Sequence, residues 1–118
     1  MKIREIRDLL NAEVLCGECY LDRDVLSACG SDMMSDVLAF VKNQAALLTG
    51  LVNSQVIRTA VMMDMTCIVF VRSKQPSPEM VEFARENDLI VMATPYRMYE
   101  ACGKLYAAGL KGNGEMHE

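Results

Sequence analysis

Histidine is almost missing from this sequence of 118 residues: there is one, His117, set among glycine, asparagine and acidic residues near the end of the chain. A serine or cysteine nucleophile needs a base fixed within hydrogen-bond reach, and a lone histidine on a tail does not supply one. Basic runs are missing as well. With 12 basic and 16 acidic residues the net charge is -4, whereas binding to a phosphate backbone calls for a clustered basic surface, so nucleic acid is not an expected partner. Apolar runs stop at Arg, Asp or Asn before the roughly 18 residues of a membrane span, and the opening MKIREIRDLL is charged and amphipathic rather than signal-like. No glycine-rich phosphate loop of the familiar kinds occurs. These absences leave a single cytoplasmic domain, large enough to bury a core without disulfides or a structural metal, and they imply no cofactor.

The five cysteines, at 16, 19, 29, 67 and 102, are an odd number scattered through apolar segments, which suits free thiols in a reducing compartment. Cys29, Cys67 and Cys102 read as small buried hydrophobes. Cys16-Gly17-Glu18-Cys19 is the sharpest local motif, since two thiolates across a two-residue turn can share one tetrahedral ion. A second chelating pair is absent, and only Cys29 and His117 could complete the set. The four aspartates 22, 24, 32 and 36 fall at spacings that suit turns and caps better than paired acid and base work.

Periodicity outlines the elements. Ile3, Ile6, Leu9 and Leu10 share a helical face that Asn11 ends, Val14–Cys16 and Asp24–Cys29 read as extended, and Met34, Val37, Leu38 and Val41 mark a second helix capped by Ser31 or Asp32. After residue 45 the pattern alternates. Apolar runs at 45–50, 66–71 and 89–94 read as strands; a helix from Asn53 turns Val56, Ile57, Ala60 and Val61 inward, and Ser77-Pro78-Glu79 starts another that ends at Glu86. Thr94-Pro95 repeats the cap-then-proline signal before a last helix with Met98, Ala101, Cys102 and Leu105 on its buried stripe. Residues 1–110 then form one domain and 111–118 a flexible tail. Wholly apolar strands separated by helices imply a largely parallel sheet covered on both faces, a three-layer α/β/α sandwich.

In such sheets ligands collect beyond the carboxyl ends of the strands. Ser31, Asp32, Thr49, Gly50, Asn53, Arg72 and Thr94 fall on those loops and form the candidate site, with hydroxyls, one arginine and one carboxylate for a small anion. Ten methionines fill the core, but Met33 and Met63 fall off the buried stripes and favour self-association.

Several segments together resemble the DRTGG domain family over almost the whole chain: residues 11–15, the run from Ser31 to Val37, Leu47-Leu48-Thr49-Gly50, Ile68-Val69-Phe70 with its Pro76 turn, and Thr94-Pro95 followed by Tyr99-Glu100-Ala101. The resemblance implies an α/β/α domain that dimerises and binds or transmits a regulatory ligand. Such domains accompany CBS domains in regulated pyrophosphatases and occur in phosphotransacetylases; the N-terminal domain of HPr kinase has a similar fold. Stand-alone members imply a redox or signalling protein as partner. The family's acidic-basic pair falls on Val52-Asn53 and its Thr-Gly-Gly turn near Val71-Arg72-Ser73, and the cysteine motif is not part of the family pattern. The expected function is therefore a non-catalytic, homodimeric regulatory or sensor domain acting through a protein partner, with a small anionic or nucleotide ligand. A metal- or redox-active protein using Cys16 and Cys19 is the alternative.

Overall fold

The computed structural model of the protein describes residues 1–40 and 44–112. Among the described residues the chain forms α1 (Ile3–Leu10), β1 (Glu13–Cys16), a 3₁₀ turn (Glu18–Tyr20), β2 (Ser27–Gly30), α2 (Met34–Phe40), β3 (Ala45–Thr49), α3 (Ser54–Met62), β4 (Cys67–Phe70), α4 (Pro78–Glu86), β5 (Ile90–Ala93) and α5 (Met98–Ala107). The helix starts are written locally. Asn53 Oδ1 accepts from the Val56 amide at 3.1 Å, and Ser77 Oγ accepts from the Met80 amide at 3.2 Å with Pro78 as the first helical residue. At α1 the Lys2 amide donates to Glu5 at 2.7 Å, and Asn11 closes the helix in the left-handed region that asparagine tolerates.

The strands form one sheet in the order β1-β5-β4-β3-β2, with β2 to β5 parallel and β1 antiparallel against β5. The sheet thus includes β2 as a fourth parallel strand beside the three apolar runs read from the sequence. Because β2 to β5 are laid down side by side in one direction, α2, α3 and α4 pack on one face and α1 with α5 on the other. Alternate side chains feed two cores. Ala46, Leu48, Val69 and Met92 meet Ile3, Ile6, Ala101 and Leu105, while Leu47, Ile68, Phe70 and Val91 meet Val37, Ile57, Met80 and Ala84.

Several side chains depart from the sequence reading. Leu9 and Leu38 lie exposed at the margins of their helices, and Val61 is only half-buried. A seven- or eight-residue helix presents a narrow stripe to a flat sheet, and its flanking apolar positions stay wet. Met33 is exposed as expected, but Met63 is half-buried against the three-helix core and Met62 is the exposed member of that pair. Val41 falls outside the described residues. The Thr94-Pro95 signal does not start α5: the helix begins at Met98 with Arg97 in the cap position. At the C-terminal end, Leu110 is buried and the Lys111 carbonyl accepts from the Ala28 amide at 3.0 Å, so residue 111 pairs with the edge of β2. Residues 113–118, including His117, lie outside the described residues.

Candidate functional site at the carboxyl edge of the sheet

Of the seven loop residues singled out in the sequence, three form one bonded cluster. Asp32 Oδ1 accepts from the Thr49 hydroxyl at 2.9 Å and from the Gly50 amide at 2.7 Å, and Thr49 Oγ1 accepts in turn from the Leu51 amide at 3.1 Å. Arg72 reaches toward them: a Cβ built on Gly50 would lie 3.2 Å from Arg72 Nη2. The Gly50 amide, then the Thr49 hydroxyl and the nearby Arg72 and Lys74 charges, hold the Asp32 carboxyl below the usual aspartate range against the opposing effect of burial. Asp32 therefore stands where a bound anion would stand, on the amide and hydroxyl at the end of β3.

The other residues answer local needs. Ser31 Oγ accepts from the Met33 amide at 3.0 Å within its own turn, and Asn53 caps α3. Thr94 is fully buried; its hydroxyl donates to the Leu10 carbonyl at 2.6 Å and accepts from the Tyr96 amide at 3.2 Å, tying β5 to the end of α1. That long-range bond is why the Thr94-Pro95 pair does not act as a helix cap.

The topology places the crevice of an open α/β sheet between β4 and β5, since α4 and α5 leave those strands toward opposite faces. Here that crevice is bridged by backbone. The Arg72 amide donates to the Tyr96 carbonyl and the Ser73 amide to the Thr94 carbonyl, each at 2.8 Å. To make these bonds Arg72 and Ser73 adopt φ of 58° and 56°, the left-handed region that favours glycine. The resemblance places the family's Thr-Gly-Gly turn near these residues.

Open space lies beside the crevice, on the three-helix face. A cavity of about 410 Å³ runs between the first turns of α3 and α4, lined by Ile57, Met80 and Phe83 with Ser54, Arg58 and Glu79 at its rim. None of these residues was among the seven singled out in the sequence. The signals were present: Arg58 interrupts an apolar helix, and Phe83 is placed one position before the buried Ala84 of α4, which leaves its ring 38% exposed.

The cysteine motif is a structural corner. Cys16 is fully buried, with Sγ donating to the Leu89 carbonyl at 3.3 Å, whereas Cys19 is exposed. Between them Gly17 has φ of 90°, and a Cβ there would come within 2.9 Å of the Ile90 Cα; the glycine lets the turn close against β5. Burial raises the Cys16 thiol and pushes the Cys67 thiol up to about 12. Cys67 is buried as expected, while Cys29 and Cys102 are half-buried, and burial raises both. Among the described residues no three His, Cys, Asp or Glu side chains are grouped as a metal site, and no helix is long and apolar enough to cross a membrane.

The family model of the DRTGG domain matches residues 5–108. The chain belongs to the DRTGG domain family. Among solved structures, the fold is similar to the CBS and DRTGG domains of the regulatory region of Clostridium perfringens pyrophosphatase, in a complex with its activator diadenosine tetraphosphate: the TM-score is 0.73 at 19% identity. The likeness covers 88% of this chain and 45% of that one, so this chain spans less than half of the matched regulatory region. No curated protein matches the chain. The mostly parallel five-stranded sheet with helices on both faces is thus the DRTGG fold, and the sequence resemblance and the observed topology agree.

Proposed function

We propose that this DRTGG chain is a non-catalytic regulatory domain that works as a homodimer, responds to a small anionic ligand of nucleotide type, and passes that response to a protein partner of redox or signalling character. The observation that carries the reading is the family match over nearly the full chain, in a fold that the relative uses within a regulatory region. The chemistry of the titrating groups supports it. The carboxyl at the sheet edge is held ionised by its partners, and the buried thiols are raised, so these groups are poorly tuned as a general acid or as nucleophiles at neutral pH.

Support for self-association comes from α5, which presents Tyr99, 89% exposed, and Tyr106, 52% exposed, on either side of Gly103, where an added side chain would meet nothing. Two copies of this helix crossing antiparallel near Cys102 would set Glu100 of one beside Lys104 of the other, around a small-residue contact flanked by aromatic rings. Sedimentation at micromolar concentration tests the assembly. A species of twice 13.1 kDa is expected, converted to monomer by Gly103→Arg; a monomer throughout that range refutes the dimer. Thermal shift against a panel of nucleotides and acyl phosphates tests the ligand, and no stabilisation by any of them leaves a pure protein-interaction domain.

A further inference from the structure

The groove between α3 and α4 has the properties of a ligand site that the loop cluster lacks. We infer that it is where this domain takes its ligand, and that the ligand is a single nucleoside monophosphate, with the base against Phe83 and Met80 and the phosphate on Arg58. The inference rests on the ligand-responsive reading above and gives it a place.

Size comes first. The cavity of about 410 Å³ lies toward the lower end of the roughly 300–1,000 Å³ occupied by small-molecule sites, room for one nucleotide and not for two joined by a phosphate chain. Polar and apolar groups share its wall; Ile57 and Met80 are buried at its base, and the Phe83 ring is its exposed apolar member, covered by no cation of the described residues. Three of its polar side chains, Ser54, Arg58 and Glu79, are exposed to water. Among the described residues Arg58 and Glu79 enter no ion pair, and neither they nor the Ser54 hydroxyl forms a side-chain hydrogen bond. One first-turn amide of each helix is taken by its cap, Val56 by Asn53 and Met80 by Ser77, and recognition is assigned to the side chains.

Charge narrows the ligand further. One cation at the rim suits one phosphate. The Glu79 carboxylate on the same rim repels a triphosphate tail, but it can accept from ribose hydroxyls or a base amino group. The position agrees with the general habit of α/β sheets, since the groove opens at the carboxyl edge, beside the crevice that Arg72 and Ser73 have bridged.

The full-length protein is titrated with adenosine monophosphate, observed by calorimetry and by amide chemical shifts, with adenosine triphosphate, adenosine and inorganic phosphate as comparison probes. The monophosphate is expected to bind best and to move resonances of Ser54, Arg58, Met80 and Phe83. Arg58→Gln and Phe83→Leu should each weaken it at least tenfold while the melting temperature of the free protein stays unchanged. Binding that survives both substitutions, that is lost instead on Arg72→Ala, or that favours the triphosphate overturns the groove assignment and leaves a ligand-responsive domain with its site elsewhere. No binding by any probe also overturns it, and the sedimentation result then decides separately whether the homodimeric regulatory reading stands.

Discussion

Two neighbouring regions at one edge of the sheet treat their polar groups in opposite ways. At the ends of β3 and β4, the Thr49 hydroxyl, the Gly50 amide, the Asp32 carboxylate and the Arg72 and Ser73 amides all find partners within the chain. In the groove between α3 and α4, Ser54, Arg58 and Glu79 face a cavity of comparable chemistry and bond to nothing among the described residues. The difference is physical: polar groups satisfied internally hold loops in place, whereas the exposed groups of the groove keep their water and are free to serve the proposed ligand.

The largest effect should come from breaking the closed side. Replacing Asp32 by alanine removes one carboxylate and strands both the buried Thr49 hydroxyl and the Gly50 amide. Bonds to a charged acceptor are worth more than neutral ones, but Asp32 is itself exposed and water can partly replace it, so a loss of about 2 kcal/mol is expected in urea unfolding. Arg58→Ala and Glu79→Ala, on the open side, should stay within about 0.5 kcal/mol of the parent. Equal losses on both sides would erase the distinction.

Acid gives a milder way to break the same cluster. The native Asp32 carboxyl is held below its ordinary value, first by the Gly50 amide. The stability it contributes is therefore complete above the unfolded aspartate pKa of roughly 3.9, and it is lost as pH falls through the lower native value. Asp32→Asn keeps an acceptor oxygen without the charge. The stability gap between parent and variant should be widest near neutrality and should close below about pH 4, measured by urea midpoints across that window. A gap that is constant with pH would show that the carboxylate charge contributes nothing at this loop.

Much of this architecture was legible because it is encoded locally. Asn53 and Ser77-Pro78 announce helix starts through atoms three residues away, and the short apolar runs at 45–50, 66–71 and 89–94 contain the strands Ala45–Thr49, Cys67–Phe70 and Ile90–Ala93, buried on both sides. What stayed hidden depends on distance in the chain. The Thr94 hydroxyl reads as a cap until Leu10, 84 residues earlier, is brought beneath it. Nothing local shows that β1 runs antiparallel beside β5, or that Phe83 and Arg58 border one cavity. The carboxyl edge was singled out from topology alone. Which part of it is bonded shut, and which part is open, emerges only when side chains from α2, β3, β4 and β5 are placed together.

A smaller effect should follow from relaxing the bridge between β4 and β5. Ser73 sits at φ of 56° so that its amide can reach the Thr94 carbonyl. A non-glycine residue pays roughly 1–2 kcal/mol for that conformation, partly offset in a glycine variant by the freer unfolded chain. Ser73→Gly should therefore stabilise the protein by up to about 1 kcal/mol, visible as a higher urea midpoint at unchanged slope. Destabilisation would mean that the serine side chain contributes more than the strain it imposes.

The smallest effect sharpens the comparison from inside the core. Ser27 on β2 is buried, and its Oγ has no hydrogen-bond partner among the described residues. It resembles the groove in leaving a polar group unanswered, but the physical consequence is opposite: Arg58 and Ser54 are exposed and lose nothing to water, whereas a buried hydroxyl without a partner has given up its hydration. Removing it should help. Ser27→Ala deletes one oxygen and leaves a void too small to matter greatly, so the expected change is a gain of at most about 1 kcal/mol, while Ser54→Ala at the rim should leave stability unchanged. A clear loss for Ser27→Ala would show that this hydroxyl is bonded after all, and would move β2 to the closed side of the comparison along with Asp32 and Thr49.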